Sequence, residues 1–185
     1  MARTAKNGRA AVRASSAKRR QGTKPVRPAP RARPAVPFFT VGYEGRAQGE
    51  YLALLSDAGV TLLCDVRSNP FSRKPGFSRR ALAEGCEQAG IRYEHLPELG
   101  IPKEKRRNVA EREDYEALFT EYERTTLSAE RASVARIAAW ARSGERVALT
   151  CYERLPEHCH RNRLAKALER LEPRKGRGRL VAKHL

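Results

Sequence analysis

The run Val60–Val66, VTLLCDV, is apolar at nearly every position rather than at every second one. A strand with one wet face alternates apolar and polar residues, whereas a nearly continuous, β-branched run suits a parallel strand covered on both sides. The flanking sequence agrees. Phe38–Tyr43 (FFTVGY), Ile91–Leu96 (IRYEHL) and Arg146–Tyr152 (RVALTCY) are further short apolar runs, and Gly178–Leu185 (GRLVAKHL) is a candidate fifth strand. Between them lie segments with helical spacing. Ala47–Gly59 carries Tyr51, Leu52 and Leu55 and stops at Gly59, and Ser78–Gly90 starts on a serine suited to cap a helix. A longer helical region places Tyr115, Leu118, Phe119 and Tyr122 on one face, then Val134, Ile137, Ala138 and Ala141 on a second. A last helix is expected from about Glu157, with Leu164, Leu168 and Leu171 inward. Strand alternating with helix predicts an α/β, three-layer, Rossmann-like domain over residues 38–185, with a small, mostly parallel sheet of four to five strands.

In such sheets ligands bind outside the carboxyl ends of the strands. The unusual residues of this chain follow the predicted strands at that edge. Gly42, Tyr43, Glu44 and Gly45 come after the first, and Asp65, Arg67, Ser68, Asn69 and Ser72 after the second. Pro97–Gly100 comes after the third, and Cys151, Glu153, Cys159, His160 and Arg161 after the fourth. Asp65 and Arg67 flank one residue and so point to one side of an extended chain, as a structural ion pair or as a carboxylate poising an arginine for a phosphate. The glycines around Tyr43 could let backbone N–H groups approach a phosphate, although neither GxGxxG nor GxxxxGK[ST] is present. The loop with Ser72, Arg73 and Lys74 suits phosphate contact or plain solvation.

Three readings are open for the fourth cluster. Cys151, Glu153, Cys159 and His160 could ligate a transition metal. A thiol near a helix start could be reactive, with Glu153 or His160 as its base. Alternatively, the thiols pack as small apolar groups while His160 and Arg161 bond loop carbonyls. Cys64 and Cys86 read as packing residues, and His158 as incidental.

Charge is unevenly placed. The first 37 residues hold 11 of the 38 Lys and Arg and none of the 21 acids, and Arg174–Leu185 holds five more bases and no acid. The body between them is nearly neutral, so the formal +17 belongs to the ends. Residues 1–37 lack an apolar run and are expected to form a disordered basic tail, able to attract a polyanion. No secretory pattern or membrane-length apolar stretch occurs, which predicts a cytoplasmic protein with reduced cysteines and no membrane partner.

TVGYEGR, LLCDVRSNPFSRKPGFS, YEHLPELG and LTCYERLPEHCHRNRLA occur in that order. Together they resemble the domain of unknown function 488 family, from Phe38 to the C-terminus. The resemblance implies a compact α/β domain whose signature positions are Gly42, Asp65, Arg67, Pro70, Ser72, Cys151, Glu153, Cys159, His160 and Arg161. It implies no reaction. The residues themselves point to an enzyme on a nucleotide, nucleic acid or other phosphorylated substrate. In it Asp65 or Glu153 is the acid–base, Cys151, Cys159 and His160 a thiol or metal centre, and Gly42, Tyr43, Arg67, Ser72 and Arg161 hold phosphate. The alternatives are a non-catalytic nucleic-acid-binding or partner-binding module, and a thiol- or metal-dependent sensor.

Overall fold

The computed structural model of the chain describes residues 1–2, 34–106, 112–172 and 178–185, without the side chain of Arg112. Most of the expected basic tail therefore lies outside the described residues. The elements run β1 (Ala35–Gly42), α1 (Gln48–Asp57), β2 (Leu62–Asp65), α2 (Arg79–Gln88), β3 (Arg92–His95), α3 (Arg112–Tyr122), α4 (Arg131–Arg142), β4 (Val147–Cys151), α5 (His160–Arg170) and β5 (Arg179–His184). All five strands are parallel, in the order β3-β2-β4-β1-β5. The first strand begins at Ala35, inside the segment assigned from sequence to the tail.

Period-two alternation divides the core into two layers. Leu62, Cys64 and Val66 of β2, with Val147, Leu149 and Cys151 of β4, face α3, α4 and α5 and pack on Phe119, Ile137, Leu164 and Leu168. Leu63, Ala148, Phe39, Val41 and Tyr43 face the other way, onto Tyr51 and Leu55 of α1 and Leu82 and Cys86 of α2. Both faces of the sheet are covered, which is why VTLLCDV needs no polar alternation. Burying each Leu, Ile or Phe contributes about 1.5–3 kcal/mol. Cys64 and Cys86 have the packing role expected of them, and burial pushes both thiols up, Cys86 to about 12.

The helix boundaries follow local chemistry. Ser78 caps α2, its Oγ accepting from the Ala81 N–H at 3.4 Å. The last helix starts at His160 rather than near Glu157, because Pro156–His158 forms a separate 3₁₀ turn and Cys159 is extended (φ −133°, ψ 138°). One π-helical turn, Glu123–Leu127, joins the ends of α3 and α4. Phe119 and Tyr122 are buried there as the spacing predicts, while Tyr115 is exposed. Among the described residues no helix is long and apolar enough to cross a membrane.

The carboxyl ends of β1 and β4 are joined beyond their ladder. The Tyr43 N–H donates to the Cys151 carbonyl at 3.3 Å and the Glu44 N–H to the Tyr152 carbonyl at 2.9 Å. This contact is possible because residue 42 has no side chain: a Cβ there would sit 1.9 Å from the Glu153 carbonyl oxygen and 2.8 Å from the Arg154 Cα. Gly42→Ala is therefore expected to cost about 3 kcal/mol by overpacking against backbone, lowering the melting temperature by roughly 6–12 °C for a domain of this size. A thermal melt within about 2 °C of the parent would show that the contact gives way cheaply.

Candidate active site

Asp65 ends β2 on the α1/α2 side of the sheet and has no exposed surface. Four donors converge on it. Arg67 supplies its backbone N–H (3.1 Å), its Nε (2.8 Å) and its Nη2 (2.5 Å), and the Tyr93 hydroxyl donates at 2.6 Å. The remaining face of the guanidinium is also committed, with Nη1 donating to the Tyr43 hydroxyl and to the Phe77 carbonyl, both at 2.8 Å. Burial works against the Arg67 charge, but Asp65 outweighs it and pushes the pKa of the guanidinium up. Burial likewise raises the Tyr93 and Tyr43 hydroxyls. The pair thus ties β2 to β1, to β3 and to the loop before α2. Arg67 borders the crevice with its donors already engaged, and Asp65 does not reach it. Their geometry is that of an internal ion pair.

Two further phosphate-binding expectations meet the same obstacle. The N–H groups of Tyr43, Glu44 and Arg46 are paired within the protein, so the turn after Gly42 offers no cradle from them. Arg161 is one of the largest fully buried side chains, and its Nη1 and Nη2 donate to the carbonyls of Glu153 and Arg154. It holds the Cys151–Cys159 loop in place from behind. Glu98, from the third cluster, turns away and accepts from Ser133 at 2.6 Å and Arg136 at 3.4 Å.

The remaining candidates do come together, on the α5 side of the sheet. The Cys151 Sγ is 3.3 Å from Glu153 Oε2 and 3.8 Å from His160 Nδ1, and the Cys159 Sγ is 3.9 Å from the same nitrogen. The other ring nitrogen, Nε2, lies 3.0 Å from the Val66 carbonyl. A carbonyl only accepts, so Nε2 carries a proton and Nδ1 is presented to the two thiols. The edge-on ring of Tyr122 packs against the imidazole, with centroids 5.4 Å apart.

Protonation is coupled within this cluster. A hydrogen bond with Cys159, then burial, holds the Cys151 thiol well above its usual range. For Cys159 burial is opposed by the Cys151 hydrogen bond, His160 and Arg161, which together bring that thiol well below it. Burial and the nearby Cys159 raise the Glu153 carboxyl to about 7. Burial lowers the His160 pKa, but Cys159 and the Val66 carbonyl raise it more.

Above this cluster opens a cavity of about 410 Å³ at the carboxyl ends of β1, β2 and β4. Cys151, Glu153 and His160 reach it, and its mouth carries Ser72, Arg73, Lys74 and Arg106. Lys74 is anchored by donating from Nζ to the Tyr43 carbonyl at 3.0 Å. Phe71, 76% exposed, and Tyr152, 45% exposed, also border the opening. Sequence reading missed Tyr93, because nothing local says that β3 lies beside β2. It missed Phe71, Arg106 and Tyr152 as a rim, although a bare Phe between Pro70 and a basic pair was a usable signal.

The profile of the family described as domain of unknown function DUF488 matches residues 48–168. No curated protein matches the chain. Among solved structures, two of a DUF442 protein from Shewanella putrefaciens CN-32, a phosphatase candidate, share 18% and 17% identity with it. They cover 61% and 62% of this chain and 52% and 56% of that one, so the chain spans little more than half of that protein, and the TM-scores are 0.31 and 0.32. Likeness at that level bears on neither fold nor activity.

Removing one partner of a buried ion pair strands the other charge. Arg67→Met is expected to cost about 3–5 kcal/mol of unfolding free energy. Asp65→Leu added to Arg67→Met recovers part of that loss, because no charge is then left buried. Urea unfolding of both variants checks this; parental stability in Arg67→Met would mean that the arginine serves a ligand rather than the fold.

Proposed function

The chain belongs to the DUF488 family, and on the geometry of its crevice we propose that it is an enzyme acting on a phosphate-bearing substrate with an aromatic base, a nucleotide or a nucleic-acid strand. The observation that carries this reading is the cavity itself: a floor of Cys151, Glu153 and His160 beneath a mouth with three cations and two exposed aromatic rings.

The division of labour follows from placement. Among the described residues Glu153 is the one acid lining the opening that Arg73, Lys74 and Arg106 border, so the mouth favours an anion. Phe71 and Tyr152 offer flat apolar faces beside those cations, the combination on which bases stack while phosphates are held. Ser72 adds a hydroxyl at the same rim. Glu153 is the acid–base: it is half-buried, reaches the cavity, and is poised near neutrality. Cys151 and His160 present the groups that meet the reacting centre, with Cys159 behind them. Asp65, Arg67, Tyr43 and Arg161 act as positioning residues, setting the walls from which these groups project. Gly42 lets the β1 and β4 ends approach closely enough to form the floor.

Incubation of the full chain with nucleoside mono-, di- and triphosphates, a short oligonucleotide and sugar phosphates, read by mass spectrometry and phosphorus NMR, tests the proposal. Turnover is expected for a base-bearing member of this set. Glu153→Gln should lower kcat by about 100-fold or more, and Phe71→Ala should raise KM with little change in kcat. Absence of both turnover and binding across the set would sink the reading. Turnover of sugar phosphates with no effect of Phe71→Ala would remove the base from it.

A further inference from the structure

We infer that Cys151, Cys159 and His160 hold a transition-metal ion of the zinc type, with a fourth position open to the cavity. The inference rests on the reading of this crevice as a reacting site and names its cofactor.

The donor atoms are already gathered. The two sulfurs and the imidazole nitrogen lie within 4.8 Å of one another, and all three residues are buried. Zinc bonds of about 2.3 Å to sulfur and about 2.0 Å to nitrogen, at a tetrahedral angle, separate each sulfur from the nitrogen by about 3.5 Å and the two sulfurs by about 3.8 Å. The Sγ–Nδ1 separations of 3.8 and 3.9 Å are a few tenths of an ångström wider.

The imidazole is oriented as a ligand. Its Nε2–H is tied to the Val66 carbonyl at 3.0 Å, which fixes the tautomer that leaves the Nδ1 lone pair for an ion. Metal-bound histidines are held by this kind of outer hydrogen bond, and here it comes from the end of a central strand. Arg161 clamps the intervening loop through the Glu153 and Arg154 carbonyls, so the two cysteines are set by β4 and by the start of α5 rather than by a free loop.

The donor types select the ion. Two thiolates and one imidazole suit zinc and its borderline neighbours; magnesium and calcium need oxygen ligands. Three protein donors with a vacant fourth position make an open site, whereas structural zinc sites are closed by four. The vacancy faces the cavity, because Cys151 and His160 border it while Cys159 lies behind them. Glu153 sits on that open side, 3.3 Å from the Cys151 sulfur and outside the three-donor group, placed to take a proton from whatever occupies the fourth position. The ion supplies Lewis acidity there.

The full chain, made without a metal-affinity tag, is tested by elemental analysis as purified and after stripping and reconstitution with Zn²⁺. One bound zinc per chain is expected. With Co²⁺ in its place, thiolate-to-metal charge transfer and the strong visible bands of a tetrahedral ion should appear. Cys159→Ser should weaken Zn²⁺ binding at least about 100-fold, beyond what loss of a supporting group typically costs. His158→Gln, in the exposed turn beside the cluster, should leave it unchanged. Less than about a tenth of an equivalent after reconstitution, with no cobalt spectrum from the folded parent, overturns the inference even if no variant is made. Binding or turnover of nucleotides by that metal-free protein would leave the enzyme reading standing. A stoichiometric ion in a protein that neither binds nor turns over any phosphate compound would uphold the metal and defeat the enzyme reading.

Discussion

The Asp65–Arg67 pair is the constraint to which the rest of the crevice answers. A buried carboxylate costs several kcal/mol unless its oxygens are filled, and here four donors fill them. Because Arg67 lies only two residues on, the pair is closed within β2 and the first turn beyond it. The other bonds the pair makes then fix what comes near, two donated by Arg67 and one accepted by Asp65. The Tyr43 hydroxyl pins the end of β1, the Phe77 carbonyl pins the far side of the basic loop, and Tyr93 pins β3. The loop with Phe71, Arg73 and Lys74 can therefore stand out over the cavity while both of its ends stay fixed.

The pleat of β2 places two kinds of chemistry back to back. Asp65 and Arg67 turn toward α1 and α2, while Val66 between them turns toward α5 and offers its carbonyl to His160. One three-residue stretch thus anchors the ion pair on one face and orients the imidazole on the other. The cluster on the second face is small, buried and dense in exchangeable protons. The cluster on the first is held by hydrogen bonds to both partners of the ion pair.

Much of the fold was legible because continuous apolar runs and helical spacing are local properties. The α5 start was displaced because Pro156 and an extended Cys159 interrupt a pattern that reads as one helix. Strand order was not legible, since it depends on pairings between β1, β4 and β5 far apart in the chain, and Tyr93 was lost with it. The grouping of Cys151, Glu153, Cys159 and His160 was legible, because a strand end and the next helix start meet at the same edge of an α/β sheet when the loop between them is short. The arginines were harder. Arg67 at a strand end and Arg161 at a helix start each read either as a ligand contact or as a structural bond, and the burial of Arg161 and the partners of Arg67 show both holding the protein's own oxygens. Sequence shows where an arginine is, but its donors are assigned by whichever acceptors the distant parts of the chain bring near.

The position of β1 in the order β3-β2-β4-β1-β5 has a consequence for how the chain is made. Both neighbours of β1, β4 and β5, lie far along the chain from it, with Phe39 opposite Ala148 and Ala35 opposite Arg179. Until Val147 emerges, β1 has no partner on either edge, and its backbone groups face water or chaperone. Such long-range pairing slows folding, since loop closure precedes any gain from contact. The two thiols of the crevice, at the end of β4 and the start of α5, belong to that same distant stretch. Their burial therefore waits on the same long-range pairing that brings β4 between β2 and β1.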